Sequence, residues 1–195
     1  MNKLKDYCIN ITDGEHGSVQ DDENGTYYLL SNKNIIDSKI VISENDRRIS
    51  EKDYLRINKR TKLEQGDVVI ATVGTIGKTA VLYNPNNFVF QRSVGIIKTK
   101  KEKLDPYYLK YYIDVPSFQM RLQNLSKGAV QKCLFINDIK ELEVNIPSIE
   151  EQKKVCEVLK CLDAKIENNN NTIFILESMA KTIYDYWFLQ FEFPN

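Results

Sequence analysis

Gly74-Thr-Ile-Gly-Lys-Thr79 is the stretch whose residue types come nearest to phosphate chemistry. A lysine ammonium and threonine hydroxyls beside glycines are the parts of a nucleotide-binding loop, which wraps phosphates with backbone N–H groups. That loop needs a glycine at position 72, where this chain has Thr72. It also needs a helix directly afterwards, and Ala80-Val-Leu-Tyr83 followed by Asn84-Pro85 reads as a short strand and a turn. A hairpin suits the segment better, with Gly74 and Gly77 supplying unusual backbone angles. Its tip presents Thr75 and Lys78, a hydroxyl and an ammonium able to hold a nucleic-acid phosphate. A nucleotide-binding enzyme is the alternative, and it predicts ATP or GTP binding that Lys78→Ala abolishes.

Other chemistries have less to stand on. His16, the single histidine, lies in Asp13-Gly-Glu-His-Gly17 and reads as a turn or surface residue. Cys8, Cys133, Cys156 and Cys161 form no CxxC pair, so neither a structural zinc site nor any other metal is expected. No Gly-x-Ser-x-Gly elbow occurs and the carboxylates are scattered, so no catalytic residue is assigned. The opening residues lack the apolar stretch of a signal peptide and no run approaches a membrane span, so a cytoplasmic location with reduced thiols is expected.

The elements that would position these side chains change character along the chain. Short runs rich in Val, Ile, Tyr and Phe, bounded by turn residues, predict strands over Thr26–Leu30, Lys39–Ile42, Asp67–Val73, Thr79–Tyr83, Phe88–Ile97 and Glu141–Ile146. Ser50 predicts the cap of a helix through Asn58. Asp105-Pro106 opens another helix through about Gln123, which Pro116 should interrupt.

After Pro147 there is no glycine, and Ser148 with Glu150 and Glu151 starts a long helix. Val155, Leu159, Leu162, Ile166, Ile173, Leu176, Ala180, Ile183 and Trp187 follow in steps of four and three, with Asn169 the polar member. That is a coiled-coil seam. Its unbroken phase favours a continuous helix over a hairpin turning at Asn168–Asn171. Such a helix, about 60 Å long, outreaches a domain about 30–40 Å across, so the seam needs a partner helix. The expected fold class is α+β: a mixed, mainly β domain over residues 1–146, then a coiled-coil helix over 147–190.

Charge is neutral overall, with 27 basic and 27 acidic residues, which by itself argues against nucleic-acid binding. Residues 51–100 are the exception, with 9 basic and 4 acidic side chains.

Taken in order, these segments resemble one family, the specificity subunits of type I restriction-modification systems. Ile11-Thr-Asp-Gly-Glu-His-Gly17 is similar to that family's Asp-Gly-x-His element, and Leu63 through Val81 to its Gly-Asp…Gly-x-Ile-Gly-Lys core. Gln91-Arg-Ser-Val-Gly-Ile-Ile97 resembles the strand that follows, and Ser126-Lys-Gly-Ala-Val-Gln-Lys132 a glycine-containing loop. Ile146-Pro-Ser-Ile-Glu-Glu-Gln152 resembles the entry to the long helix, and Trp187-Phe188 its close. The resemblance implies a non-catalytic subunit that binds double-stranded DNA through residues 1–146, the target-recognition domain. It carries no cofactor of its own. Modification subunits bring S-adenosylmethionine for adenine methylation, and a restriction subunit brings ATP-driven cleavage. Family members usually hold two recognition domains and two helical spacers. One of each here is similar to a half-subunit, which implies a homodimer reading an interrupted inverted repeat.

On that resemblance the DNA-binding candidates are Thr75, Lys78, Gln91, Arg92, Lys127, Gln131, Lys132, Asn32, Lys33 and His16. They are polar side chains expected on loops, with Arg92 the leading base reader. The dimerisation candidates are Leu159, Leu162, Ile166, Asn169, Ile173, Leu176, Ala180 and Ile183. Two alternatives stay open: a coiled-coil adaptor without a DNA role, and an orphan or phage-borne half-subunit that joins or interferes with a host system.

Overall fold

The computed structural model describes residues 2–128 and 132–190. The chain divides into two compact units, Met1–Lys153 and Lys154–Asn195.

The elements of the first unit, in chain order, are β1 (Asn2–Lys3), β2 (Cys8–Asp13), β3 (Tyr27–Leu30), β4 (Ile35–Ile36), β5 (Lys39–Ile40) and β6 (Arg48–Ile49). Then come α1 (Glu51–Thr61), β7 (Val68–Ala71), β8 (Thr79–Val81), β9 (Phe88–Phe90), β10 (Val94–Thr99), α2 (Pro106–Asp114), α3 (Pro116–Leu125), α4 (Ile136–Lys140) and β11 (Glu143–Val144). A main sheet runs β2-β10-β7-β8, antiparallel throughout. A second runs β6-β3-β9, in which β3 and β9 are parallel. Two short pairs, β1 with β11 and β4 with β5, complete the pattern.

Side-chain alternation explains the layering. On β7, Val68 and Ile70 point into a core shared with Leu109, Ile113, Phe118, Leu122 and Ile139 of the helices. Val69 and Ala71 point the other way, into a core with Leu30, Phe88 and Phe90 of the second sheet. Both faces of β7 are therefore buried, which is why it reads as a continuous apolar run. The second sheet uses Leu29 and Val89 to pack Tyr54 and Ile57 of α1 on its far side. The order is helices, sheet, sheet, helix.

Local signals set the helix ends. The Ser50 hydroxyl accepts from the Asp53 N–H at 3.2 Å and caps α1. The Asp105 carboxylate accepts from the Tyr107 and Tyr108 N–H groups at 2.8 and 3.1 Å and caps α2. Val115 is extended between α2 and α3 because the proline after it disfavours a helical conformation.

Three expectations need correction. Phe88–Ile97 is two strands: Phe90 belongs to the second sheet, Val94 to the first, and the chain turns a corner over Gln91–Ser93. Apolar periodicity cannot register a strand that changes sheets. Lys39–Ile42 and Glu141–Ile146 hold only two-residue strands. The edge strand β2 was not predicted, because Asn10, Thr12 and Asp13 dilute its apolar signal.

Helix α5 (Ile149–Tyr184) is continuous for 36 residues, and a π-type turn over Asp185–Leu189 follows it. Asn168–Asn171 stay helical. Ser148 and Glu151 form a capping box at the start, with Ser148 N–H donating to Glu151 Oε2 at 3.1 Å. Gln152 in the first turn is fully buried within the first unit. It accepts from the Asp105 N–H at 2.9 Å and donates to the carbonyls of Lys103 and Pro147, both at 2.9 Å. No helix is long and apolar enough to cross a membrane among the described residues.

Candidate nucleic-acid interface

Five chain segments meet at one end of the main sheet, the end formed by Asp13 of β2, Val94 of β10, Ala71 of β7 and Thr79 of β8. Each carries candidates from the sequence, and hydrogen bonds tie them together.

The β7–β8 connection is the hairpin expected in place of a phosphate loop, since a strand follows it. Gly74 and Gly77 have φ of +70° and +90°. Thr75 and Lys78 are exposed while Ile76 and Gly77 are buried. Gln119 of α3 donates to the Gly77 carbonyl at 3.0 Å and to Ile113 at 2.9 Å. Gln123 donates to the Ile76 carbonyl at 3.1 Å. A Cβ on Gly77 would lie 2.3 Å from the Gln119 amide, so this glycine serves a close approach as well as a turn. The turn is held from below and offers its polar tips to solvent.

Asp13–Gly17 and Gln91–Ser93 form a second linked pair. Glu15 N–H donates to the Phe90 carbonyl at 2.7 Å, and Arg92 N–H donates to the Glu15 carbonyl at 2.9 Å. A Cβ on Gly14 would sit 2.2 Å from the Phe90 and Gln91 carbonyls, so only glycine lets the segments pack this closely. His16 is exposed, its Nε2 2.6 Å from Asp13 Oδ2. Gln91 is half-buried in a bridge with Glu15. Arg92 is exposed, and its guanidinium has no ion pair among the described residues.

Thr72 joins these segments to the others. Its N–H donates to the Ser93 carbonyl at 2.9 Å, its hydroxyl to the Arg92 carbonyl at 3.3 Å, and its carbonyl accepts from Leu134 N–H at 2.8 Å. Lys127 and Val73 each form a bridge with Cys133, which brings Lys127 and Lys132, both exposed, to the same end. Gln131 lies outside the described residues. Asn32 N–H donates to the Ser93 hydroxyl at 3.2 Å. Lys33, by contrast, pairs with buried Asp46 at 2.9 Å. Burial pushes the Asp46 carboxyl up, but hydrogen bonds from Ser43, Lys33 and Asn34 outweigh it and hold its pKa at about 2.

Several residues of this end were not anticipated. Arg56 and Arg60 of α1 reach the Asp13–Gly17 segment: Arg56 Nη1 donates to Glu15 at 3.0 Å, and Arg60 Nη2 to the Gly14 carbonyl at 2.5 Å. Burial raises the Glu15 pKa, yet the Arg56 hydrogen bond, the Gly17 N–H and the two guanidinium charges leave it below the ordinary value. Phe135 is 52% exposed among these polar groups, with the Lys127 ammonium 5.9 Å from its ring centre. Gln119 and Gln123, four apart on a predicted helix, were a readable pair of donors whose target was not.

The candidate dimerisation residues are placed differently. Leu162, Ile166, Ile173, Leu176 and Ile183 are all exposed along α5, and from Lys160 to Gln190 no residue is buried. Asn169 and Ala180 share that exposure, and Leu159 is half-buried.

Comparison with known proteins gives these features a context. A family model described as the type I restriction modification DNA specificity domain matches residues 8–177. The type I restriction enzyme MjaIX specificity subunit of Methanocaldococcus jannaschii is 30% identical over 155 residues, 78% of this chain and 34% of that protein. The EcoBI specificity subunit of Escherichia coli is 28% identical over 141 residues, 70% of this chain and 30% of that protein. The chain thus spans about a third of the length of these curated relatives. The S subunit of a type I restriction-modification system from M. genitalium matches with a TM-score of 0.67 at 17% identity, covering 97% of this chain and 45% of that one, which shows a shared fold.

Proposed function

This chain belongs to the type I restriction-modification DNA specificity family, and from that premise we propose that it reads duplex DNA with the loop end of its first unit and pairs with a second copy through α5. The observation that carries the reading is the convergence of the β2, β3, β7–β8 and β9–β10 segments, with Lys127 and Cys133, on one end of the sheet. They present Thr75, Lys78, Arg92, Lys127 and Lys132 to solvent.

The chemistry of those groups suits DNA. An exposed guanidinium such as Arg92 bonds guanine O6 and N7 together in the major groove, where all four base pairs differ. Thr75 and Lys78 suit a phosphate, which fixes register without reading sequence. The Gln119 and Gln123 bonds hold their turn in advance, so little ordering is left for the moment of binding.

The chain performs no step of chemistry. Modification subunits supply S-adenosylmethionine, flip the target adenine and methylate it, and a restriction subunit adds ATP-dependent cleavage. The exposed seam takes a second copy in an antiparallel, two-fold arrangement, with Asn169 near its midpoint setting register. Phe174, Ile175 and Met179, 73, 56 and 55% exposed, lie off that seam and leave apolar surface for the other subunits. Two symmetric units read an inverted repeat with an unread spacer.

Co-expression with a modification subunit, followed by mapping of methylated adenines, tests the reading. An interrupted inverted repeat is expected. An asymmetric site would replace the homodimer with pairing to a different specificity chain. Absence of methylation would favour the adaptor reading.

A further inference from the structure

Helix α1 carries a feature that the recognition reading does not use. Tyr54, Ile57 and Thr61 are its buried side. Lys52, Arg56, Lys59 and Arg60 fall at i, i+4, i+7 and i+8 on the opposite side, and all four are exposed. The net-positive segment of this neutral chain therefore places four of its basic side chains on one helical face.

The four are not equivalent. Arg56 bonds Asp53 and Glu15, and Arg60 bonds the Gly14 carbonyl and lies 3.9 Å from both Asp13 and Glu15. Their charges are largely spent locally, and they attach α1 to the segment that holds His16 and, through the Glu15 carbonyl, Arg92. Lys52 and Lys59 have no ion-pair partner among the described residues. They stand about 10 Å apart along the helix, roughly three base-pair rises of one DNA strand.

We infer that the α1 face bearing Lys52 and Lys59 is a second DNA contact, one that tracks the phosphates flanking the site read by the loop end. The inference rests on the DNA-recognition reading above. Two observations select a phosphate backbone as the occupant. The face is continuous with the loop end through the Arg56–Glu15 and Arg60–Gly14 bonds. Its available charges are lysine ammoniums, compact point charges that suit phosphate and lack the fork that reads a base.

The test compares the salt dependence of binding to a labelled mixed-sequence duplex of about 40 bp between about 50 and 200 mM salt. The proteins are the wild type, the double variant Lys52→Gln/Lys59→Gln, and a control, Lys100→Gln/Lys101→Gln. The control removes the same charge at the opposite end of β10, where Lys101 is exposed and Lys100 half-buried. Lysine and glutamine have similar helix propensity, so α1 is retained and circular dichroism checks it. Each lost phosphate contact lowers the slope of log K against log salt by about 0.9, so the α1 variant should lose about 2 from it. Across that salt range the wild type then loses about 12-fold more affinity than the variant. The control should match the wild type. If the α1 variant keeps the wild-type slope, or the control loses as much, the α1 contact is wrong and the recognition reading survives. If the wild type fails to bind the duplex even at the lowest salt, the recognition reading falls and takes this contact with it.

Discussion

Phe90, Leu30, Ile96 and Leu109 of the first unit are fully buried, whereas Ile166, Ile173 and Leu176 of α5 keep more than half of their surface in water. Both sets are large and apolar, and each such side chain gains about 1.5–3 kcal/mol when it is buried. In the first unit that gain is realised within one chain. On α5, under the proposed pairing, it is deferred until a second copy arrives. The first unit should therefore have a stability of its own, and α5 one that rises with protein concentration.

The largest expected effect tests the self-sufficient half. Phe90→Ala empties a fully buried site between the two sheets and should cost about 3–5 kcal/mol in urea unfolding, independent of protein concentration. A concentration-dependent loss would mean that the first unit, too, depends on association.

Next, Ile173→Asp places a charge in the exposed seam. Sedimentation equilibrium should show self-association weakened roughly 100-fold, about 2.7 kcal/mol, with first-unit unfolding unchanged. Association that survives this change would move the interface off the seam.

Within the first unit the same contrast holds between buried supports and exposed tips. Arg92→Ala removes a side chain with no ion pair among the described residues. It should cost about 1–3 kcal/mol in DNA binding and relax one base position, while stability stays within about 0.5 kcal/mol. Unchanged affinity and site preference would remove Arg92 from the readers.

The smallest effect concerns a support. The Asp46 pKa is lowered from 3.8 to about 2 in the fold. A lowered folded pKa contributes stability that is present above 3.8 and fades as pH falls towards about 2. The contribution is up to about 2 kcal/mol. Asp46→Asn should remove it, flattening the loss of stability between about pH 4 and pH 2 in acid titrations followed by circular dichroism.

Much of the fold was legible because its signals are local. Ser50 capping Asp53, Asp105 capping Tyr107 and Tyr108, and Ser148 with Glu151 all act across three residues or fewer. The 4-3 recurrence that runs through Asn168–Asn171 marks one continuous helix, because a helix repeats its face at that spacing. The mismatch of Thr72 and the strand after Thr79 excluded a phosphate loop by the same local logic.

The candidate site was legible only as parts. Sequence supplied polar residues near glycines, and the fold decided which of them are presented. Lys33, although exposed, proved to be a partner of Asp46, while the exposed Lys78 and Arg92 have no ion pair among the described residues. Phe135, Arg56 and Arg60 had no local mark that tied them to this end.

By itself, then, the sequence determined α1, the α2–α3 pair broken at Pro116 and α5, the caps of α1, α2 and α5, the hairpin at Gly74–Lys78 and the seam of α5, all interactions between near neighbours in the chain, while α4 carried no such signal. Only the tertiary structure decided the corner at Gln91–Ser93, the parallel pairing of β3 with β9 and the meeting of five segments at one end of the sheet. The bonds that build that end join residues far apart: Arg56 to Glu15 across 41 positions, Gln119 to Gly77 across 42 and Arg60 to Gly14 across 46. No periodicity or cap encodes contacts at such separations. They exist because packing two sheets and four short helices brings those backbones within hydrogen-bond reach.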